Sequence, residues 1–511
     1  MKFINRQTEI KELEDCYAFS KKRLFSVVIY GMRRVGKTEL IKEFSKNKES
    51  IYFFVYDNKT SKALLSEYEG ELKRKKIIDP LVKLETWENF TDILFEKCRD
   101  KIVIFDEFQN FREIYPAIFS VFQRKFDDNK NIPILMIFSG SLIGMIKRTF
   151  EDMKAPLYGR VKTKLKLAPL SYKDTRTMLH ILGHKDEADI VEFFSIFGGI
   201  PKYYVAIEDF ELEGKPLMDV LTYLFLRENA PFGYEVLDVL RQEFGKRKGT
   251  YYTILEAIAT GHTKLNEIAT YTGRNMTSIT RYLNDLTEKY EMVGRIVPIT
   301  EDPEKTRKGT YTIRNPVIAF WFRYIHRNIT LFEGKNFSDV IDIIKKDIGS
   351  YEGRRFEVVG REFFTQLNKN GMLPFKFSKI GTWWGPYRDG EERKTAEIDI
   401  VALNDQTKEI LFTECKWQDK VDAKKILAEL KEKTKFVNWN NDKRKEHYAI
   451  FARSFKDKFK EPKVLLLDLN DMEDLFEDLT DLSSKEYLTS IREARDDYKH
   501  GRVKSIEEID V

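Results

Sequence analysis

The chain of 511 residues has few of the residues that build disulfide frameworks and zinc sites. It contains three cysteines, Cys16, Cys98 and Cys415, which are far apart and form no CxxC motif. Its six histidines are scattered and form no HExxH motif. This pattern excludes a disulfide-stapled fold and a zinc ribbon, argues against a histidine-based metal hydrolase, and is typical of a reducing, cytoplasmic environment.

The sequence also lacks a long hydrophobic run. Its longest strongly apolar stretch, residues 132–138, is far shorter than the ~20 residues that a membrane-spanning helix requires. The N-terminus becomes polar at Asn5, so we expect no secretory signal. The hydrophobic content of 42% is that of a folded globular protein. At roughly 150 residues per domain, the length predicts a cytoplasmic protein of several domains.

The net charge of +5 is unevenly distributed along the chain. Residues 246–331 carry 14 Lys and Arg against 8 Asp and Glu, so this segment alone has a charge of +6. A local basic excess is expected on a nucleic-acid-binding module, although a solvated surface patch would give the same count.

A phosphate-binding pattern lies near the N-terminus. The β-branched apolar run at residues 24–30 leads into GMRRVGKT at residues 31–38, and a helical pattern follows. A GxxxxGK[ST] sequence between a strand and a helix predicts a P-loop, in which backbone N–H groups surround phosphates. We expect Lys37 to reach the β- and γ-phosphates and Thr38 to offer its hydroxyl to Mg²⁺. The predicted cofactors are ATP and Mg²⁺, and the expected nucleotide-contacting residues are Gly31, Met32, Arg33, Arg34, Val35, Gly36, Lys37, Thr38 and Glu39.

A second motif predicts the residues that activate water. Apolar residues 102–105 lead into Asp106 and Glu107, which indicates a buried parallel strand with carboxylates at its C-terminal end. Asp106 is suited to hold Mg²⁺ through water, and Glu107 is suited to polarise the attacking water.

Further strand patterns complete the predicted sheet. They cover residues 51–55, 134–138 and 163–167. The second of them leads into the polar tip Ser139-Gly-Ser141, which we expect to sense the γ-phosphate. Five strands separated by helical segments predict a doubly wound α/β sheet.

These motifs resemble those of the AAA+/STAND-type archaeal ATPases over roughly residues 1–240. The resemblance also rests on Phe3-Ile-Asn-Arg at the N-terminus, on Leu-Tyr-Gly-Arg ending at Arg160, and on Gly-Gly-Ile-Pro ending at Pro201. It implies that Arg160 is an arginine finger that acts on the nucleotide of a neighbouring subunit, and that Pro201 packs near the adenine. The alternatives are a surface arginine at a strand start and a plain corner between two helices.

The middle of the chain predicts a winged helix. Helical patterns cover residues 251–259, 265–271 and 275–290, and strand-like runs at 292–299 and 310–314 enclose a basic loop. In a winged helix the third helix enters the DNA major groove and the wing contacts phosphate, although such domains also serve as lids and protein-contact modules. The candidate DNA-contacting residues are Ser278 and Arg281 on the third helix, and Lys305, Arg307 and Lys308 in the loop.

The C-terminal third contains a hairpin that can hold a metal ion. Residues 396–403 alternate in polarity, and the chain returns over residues 409–417. Glu414 and Lys416 share a strand face, and the hairpin can bring Asp399 to it. Two or three carboxylates suit Mg²⁺, and an adjacent lysine can orient or deprotonate the hydrolytic water.

This hairpin resembles the PD-(D/E)XK restriction-endonuclease-like fold. Together with Ile-Gly-Thr-Trp-Trp at residues 380–384, it is similar to a C-terminal domain fused to the archaeal ATPases named above. The resemblance implies metal ligation by Glu357, Asp399 and Glu414, and catalysis by Glu414 and Lys416. Glu362 on the same amphipathic helix is an alternative to Glu357. A binding module with an idle metal site is the alternative to a nuclease.

The predicted fold class is therefore α/β, with a doubly wound P-loop ATPase sheet, a helical lid, a winged-helix domain and a C-terminal α/β restriction-endonuclease-like domain. The predicted boundaries are 1–170 for the ATPase core, 171–245 for the lid, 246–335 for the winged helix, 345–470 for the nuclease-like domain and 471–511 for a charged tail.

The expected function is that of an ATP-hydrolysing molecular switch coupled to DNA binding and to metal-dependent DNA cleavage. The expected partners are ATP, DNA and further copies of the chain, with no membrane. The main alternative is a STAND-like signalling scaffold, in which ATP holds an assembly together and the nuclease-like domain only binds a partner. A small-molecule kinase is a third alternative, but the sequence offers no acceptor pocket.

Overall fold

The computed structural model describes residues 3–245, 248–390 and 392–481. Residues 246 and 247, at the start of the predicted winged helix, and residues 482–511 of the predicted tail lie outside the described residues. Two compact units are present. The first contains residues up to 185 with 192–296 and 307–347, and the second contains residues 186–191 and 297–306 with those from 348 onward.

The first unit contains a five-stranded parallel sheet. Its strands are β1 (Leu24–Tyr30), β2 (Ser50–Phe54), β3 (Ile102–Asp106), β4 (Ile134–Gly140) and β5 (Thr163–Lys166). They lie in the order β2-β3-β4-β1-β5, and every neighbouring pair is parallel. The five predicted strands and the doubly wound α/β sheet are therefore confirmed.

Helices cover both faces of this sheet. Along β1, Val28 packs in an aromatic-rich cluster on one face, whereas Val27 and Ile29 pack in an aliphatic cluster on the other. Burial on both faces explains why β3 and β4 are nearly continuous apolar runs. The helices of this region are α1 (Gln7–Ser20), α2 (Lys37–Ser45), α3 (Ser61–Arg74), α4 (Trp87–Lys97), α5 (Phe111–Ile114), α6 (Ile118–Asp128) and α7 (Ile143–Phe150).

A run of helices follows β5. These are α8 (Tyr172–Ile181), α9 (Glu187–Phe197), α10 (Pro201–Asp209), α11 (Leu217–Phe225) and α12 (Glu235–Phe244). Within the described residues no single helix is long and apolar enough to cross a membrane, and only the sharply bent pair α9 and α10, taken together, reaches that length and composition.

The middle of the chain forms three helices and a hairpin, followed by short helices. The elements are α13 (Lys248–Ala259), α14 (Leu265–Thr272), α15 (Met276–Asn284), a π-helical turn (Asp285–Lys289), β6 (Val293–Ile296), β7 (Thr310–Ile313), α16 (Pro316–Phe320) and α17 (Ile329–Glu333). Strand β6 pairs antiparallel with β7. It is shorter than the predicted strand because Pro298 has no N–H to donate. The chain after it pairs within the second unit, where the Ile299 N–H donates to the Thr382 carbonyl at 2.9 Å.

The second unit contains a mixed sheet. The elements of this region are β8 (Lys379–Asp389), β9 (Glu392–Asn404), β10 (Glu409–Lys416), α19 (Ala423–Thr434), β11 (Lys445–Ala452), β12 (Val464–Leu467) and α20 (Leu469–Asp481). The long helix α18 (Phe337–Lys369) precedes them in the chain. The strand order is β12-β11-β10-β9-β8. Strands β8, β9 and β10 form an antiparallel meander, and β11 and β12 add in parallel. This topology places β9 beside β10, as the predicted hairpin requires.

Candidate functional site

The predicted P-loop connects β1 to α2. Gly36 caps α2 with a φ of 93°, a conformation that strains any residue with a Cβ atom. The turn leaves the first N–H groups of α2 unpaired within the helix, so they point toward the loop and favour an anion. Val35 is buried, whereas the Glu39 side chain is exposed and pairs with Lys42 at 2.8 Å.

The Lys37 side chain lies against the loop that precedes it. Its ammonium donates to the carbonyls of Gly31 at 3.1 Å and Met32 at 3.0 Å. Removal from water lowers the pKa of Lys37, and the charges of Glu107 and Asp106 oppose that change. A buried ammonium with two loop carbonyls as acceptors is thus available to exchange one of them for a phosphate oxygen.

Asp106 links the end of β3 to the P-loop. Its Oδ2 accepts a hydrogen bond from the Thr38 hydroxyl at 2.8 Å and another from the Tyr52 hydroxyl at 2.6 Å. Burial and the charge of Asp106 raise the pKa of Tyr52, so this hydroxyl stays protonated and donates. The carboxylate and the threonine hydroxyl are the oxygen ligands that Mg²⁺ prefers, so these residues fit the predicted metal.

Glu107 follows directly in a left-handed conformation with a φ of 55°. Its Oε2 accepts from the Ser141 hydroxyl at 2.7 Å and from the Gln109 side-chain amide. Ser139, which the sequence singled out, has a buried hydroxyl with no hydrogen-bond partner among the described residues. The structure therefore brings Ser141, and not Ser139, to Glu107.

Arg160 is held by its own chain. Its guanidinium forms two hydrogen bonds to the Asp127 carboxylate, at 2.8 and 3.2 Å, and another to the Pro156 carbonyl at 2.9 Å. The ion pair lowers the pKa of Asp127. An arginine finger at this position would have to leave Asp127 before it could reach a neighbouring subunit.

The turn that contains Pro201 packs against the segment after β5. The Leu170 N–H donates to the Gly199 carbonyl at 2.7 Å, and a Cβ atom at Gly199 would lie 1.8 Å from the Leu170 carbonyl oxygen. Only glycine fits this close approach. Arg6 connects this segment to the P-loop, because its guanidinium donates to the Ala168 carbonyl at 2.6 Å and to the Val35 carbonyl of the loop at 3.3 Å.

Helix α12 lies against the two arginines of the P-loop. Arg34 forms an ion pair with Glu235, and the Arg33 guanidinium donates to the Gln242 side chain at 2.7 Å. Removal from water raises the pKa of Glu235, against the opposing charge of Arg34, and raises the pKa of Glu243 to about 8. The cavity between α12, the P-loop and Ser141 has a volume of about 50 Å³.

The predicted DNA-contacting residues fall in two places. On α15, Arg281 is exposed and Ser278 is partly exposed. In the loop, Arg307 and Lys308 are exposed in the first unit, whereas Lys305 is exposed in a segment of the second unit and pairs with Asp302 at 3.4 Å.

The C-terminal candidate site is a buried group of charges. The Glu414 side chain is 3% exposed and accepts from Lys416 and from Lys433, each at 2.7 Å. The Asp399 carboxylate accepts from the Cys415 N–H at 2.8 Å, which places β9 and β10 side by side at this point. Lys433, on α19, is not part of the predicted motif, because a lysine on the following helix has no fixed spacing from Glu-x-Lys.

Burial dominates the electrostatics of this group. It raises the pKa of Glu357 to about 8, with a further contribution from Asp399, and raises that of Asp399 to about 6, with a contribution from Glu414. Glu357 is therefore within electrostatic reach of Asp399. Across the described ranges, no group of three or more His, Cys, Asp or Glu side chains has the arrangement of a metal site.

The parallel sheet, the strand–loop–helix at Lys37 and the carboxylates at the end of β3 define a P-loop ATPase fold. Comparisons agree with this class. A family described as an ATPase domain predominantly from Archaea matches residues 3–207, and a family described as archaeal and bacterial proteins of unknown function matches residues 321–426.

An uncharacterized protein of Methanocaldococcus jannaschii is 37% identical over 478 residues, which are 92% of this chain and 99% of the relative. The chain belongs to the same family, which combines an archaeal P-loop ATPase domain with that C-terminal region. An uncharacterized ATP-binding protein of the same organism is 47% identical over 47 residues, 9% of this chain and 76% of that protein. The Walker-type ATPase of Pyrococcus abyssi is similar in structure, with a TM-score of 0.50, 20% identity, and coverage of 63% of this chain and 96% of that one.

Proposed function

We propose that the protein binds ATP at residues 31–38 and hydrolyses it with Mg²⁺ as a molecular switch. The observation that carries this proposal is the 2.8 Å hydrogen bond between Thr38 and Asp106. Two residues far apart in the sequence thereby present a hydroxyl and a carboxylate to one point beside the phosphate cradle. Mg²⁺ bound there would neutralise phosphate charge and polarise the transferred phosphoryl group.

The side chains around this point have separate roles in the proposal. Lys37 exchanges a loop carbonyl for a phosphate oxygen, and Tyr52 keeps the Asp106 carboxylate oriented toward Thr38. Glu107 accepts a proton from the attacking water once its Oε2 leaves Ser141 and Gln109. Arg160 completes the site of a neighbouring copy after it leaves Asp127.

Nucleotide binding tests the first part of the proposal. We expect Lys37→Ala to weaken binding of a fluorescent ATP analogue at least tenfold, because a charge-assisted contact to phosphate is lost. Lys42→Ala, on the exposed side of the same helix, is the matched control and should bind as the wild type does. Equal affinities for all three proteins would reject the P-loop as the nucleotide site.

We further propose that α13 to α15 and the β6–β7 hairpin form a DNA-binding winged helix. The exposed Arg281 on α15, and the exposed Arg307 and Lys308 after it, support this assignment. Because phosphate contacts release counterions, affinity for duplex DNA should fall steeply between low and physiological salt. Arg281→Ala should weaken binding, whereas Arg388→Ala, an exposed arginine on β8, should not. Salt-independent binding would contradict the proposal.

A second candidate function concerns the C-terminal unit, whose sequence resembles that of a nuclease. This unit either binds a partner or cleaves DNA. The pairing of Glu414 with both Lys416 and Lys433 favours a binding module, because a metal ion would first have to displace an ammonium from this carboxylate. If the domain cleaves DNA, then Glu357, Asp399 and Glu414 would supply the metal ligands, and Lys416 would orient water.

Nicking of supercoiled plasmid with Mg²⁺ or Mn²⁺ distinguishes the two functions. Cleavage that is lost in Glu414→Ala and retained in Glu461→Ala, an exposed acid of the same unit, would establish a nuclease. Further loss in Lys37→Ala would show that nucleotide controls it. Absence of cleavage by the wild type under every condition would leave the binding module.

A further inference from the structure

We infer that the edge of β8 anchors the acidic half of the loop between β6 and β7, and that this anchor presents the basic half of the loop to DNA. We call residues 297–309 the wing loop. The inference rests on the proposed winged-helix function, because it requires that the wing loop contacts DNA. It gives the C-terminal unit a role in DNA binding that requires neither a metal ion nor cleavage.

The first observation is the path of the wing loop. Residues 297–306 belong to the second compact unit, and the chain returns to the first unit at Arg307. The Ile299 N–H donates to the Thr382 carbonyl of β8 at 2.9 Å. The Ile299 side chain packs against the apolar core cluster of the second unit, which includes Trp383. One residue of the wing loop thus contacts the second unit through both its backbone and its side chain.

The second observation is that β8 is shaped to receive this residue. Strand β8 is at the edge of its sheet, where unpaired backbone groups are available to another segment. Its pairing with β9 shifts register between Gly381 and Trp383, and such a bulge leaves a residue outside the ladder. That residue, Thr382, is almost fully buried and donates its hydroxyl to the Ile398 carbonyl at 3.0 Å. Its own carbonyl is therefore held in place for the Ile299 N–H.

The third observation is that charge is divided along the wing loop. The anchored residues 297–306 carry three acidic residues and one lysine, a net charge of −2. The Thr306 N–H donates to the Asp302 carbonyl at 3.0 Å, so a turn ends the acidic half. Arg307 and Lys308, which are exposed, follow directly. An anchor on the acidic half therefore leaves the basic half to contact phosphate.

The anchor favours DNA binding for two physical reasons. Acidic side chains that reach a duplex repel its phosphates, and the anchor holds the acidic half on the second unit. A loop that is already fixed also loses less conformational entropy when it binds than a free loop does. Release of the wing loop should therefore weaken DNA binding, although Ile299 is not itself a proposed DNA contact.

The test compares Ile299→Asn with the wild type and with Ile299→Val in the full-length protein. Asparagine places an uncharged polar group against the apolar cluster, whereas valine keeps the packing and the backbone donor. The readout is affinity for a duplex oligonucleotide at several salt concentrations. We expect Ile299→Asn to bind roughly 5- to 10-fold more weakly, with a salt slope that is smaller by about two, as for the loss of two phosphate contacts. Ile299→Val should match the wild type.

A disulfide tests the anchor without placing a polar group in the core. A Cβ atom at Gly381 would lie 3.4 Å from the Ile299 Cβ atom, close to the ~3.5–4.5 Å that separates the Cβ atoms of a disulfide. The native cysteines are all buried. The oxidised Ile299→Cys/Gly381→Cys protein should bind DNA at least as tightly as its reduced form.

Two results would overturn the anchor. These are weaker DNA binding by the oxidised disulfide variant than by its reduced form, and an unchanged affinity and salt slope in Ile299→Asn. If either occurs while Arg281→Ala still weakens binding, the winged-helix assignment stands without the anchor. If the wild type binds no duplex DNA, both the assignment and the inference are wrong.

Discussion

Tyr52 shows how a residue outside every recognised motif completes the nucleotide site. It lies on β2, which pairs with β3 so that Phe54 is opposite Asp106, and its hydroxyl reaches the same carboxylate oxygen as Thr38 does. The sequence predicted Thr38 and Asp106 as partners because each follows a diagnostic pattern. A tyrosine in an apolar strand gives no comparable signal, since most such residues only pack.

Removal of the Tyr52 hydroxyl should impair metal binding more than nucleotide binding. A hydrogen bond to a charged group contributes about 1.5–3 kcal/mol, so Tyr52→Phe should raise the Mg²⁺ concentration for half-maximal ATP hydrolysis roughly tenfold. Affinity for ATP without Mg²⁺ should stay the same. Tyr56→Phe is the control, and an unchanged Mg²⁺ dependence in Tyr52→Phe would show that Asp106 is oriented without it.

The raised pKa of Glu243 leads us to predict that the free energy of unfolding depends on pH. Its pKa in the folded protein is raised to about 8 by removal from water, whereas an unfolded glutamate titrates near 4.3. The folded state therefore favours the protonated carboxyl of Glu243. The resulting contribution to the free energy of unfolding is fully present below the unfolded pKa, and it is lost as the pH rises through about 8. Between pH 5.5 and 8 the loss is at most about 3 kcal/mol.

Urea unfolding of the wild type and Glu243→Gln at both pH values measures this effect. The wild type should lose more stability than the variant as the pH rises, because glutamine does not titrate. Other groups that titrate in this range change the free energy of unfolding equally in both proteins. Subtracting the two pH-dependent changes therefore leaves the contribution of Glu243. Parallel losses in the two proteins would mean that Glu243 is solvated and ionised in the folded state.

Among the secondary-structure elements, the strands could be predicted from the sequence more accurately than the polar loops between them. The central strands β1, β3 and β4 could be predicted because burial on both faces demands an almost unbroken apolar run. The strand predicted over residues 292–299 was too long, because Ile299 bonds to Thr382 of β8, a partner far away in the sequence that no local pattern indicates. Of the two serines in the predicted polar tip, Ser141 contacts Glu107 and Ser139 does not, because the path of the chain beyond β4 decides which hydroxyl arrives.

The position of helix α19 leads to a prediction about metal binding in the C-terminal unit. Lys433 approaches Glu414 from this helix, where a divalent cation would compete with its ammonium. Lys433→Met should therefore strengthen Mg²⁺ binding at Glu414, as measured by calorimetric titration. Lys431→Met, which removes an exposed lysine of the same helix that pairs with Glu461, should change nothing. Weaker Mg²⁺ binding in Lys433→Met would show that this lysine supports the site.

For the whole molecule, the position of Arg160 predicts cooperation between copies of the chain. If Arg160 acts on a neighbour's nucleotide, a mixture of Lys37→Ala and Arg160→Ala proteins should recover part of the ATPase activity that each lacks alone. The first supplies an intact arginine, and the second supplies an intact nucleotide site. If no mixing ratio recovers ATPase activity, Arg160 does not act on a neighbouring copy, and its role is the ion pair with Asp127.

Steady-state phosphate release tests the central claim, ATP hydrolysis at the P-loop, most directly. The wild type and Glu107→Gln are compared at saturating ATP and Mg²⁺, after equal affinity for ATP has been verified. Loss of the general base should lower turnover by about 10²- to 10⁴-fold, and Glu113→Gln, on the nearby helix α5, should turn over at the wild-type rate. Equal turnover by the wild type and Glu107→Gln would contradict the assignment of this site as the hydrolytic centre.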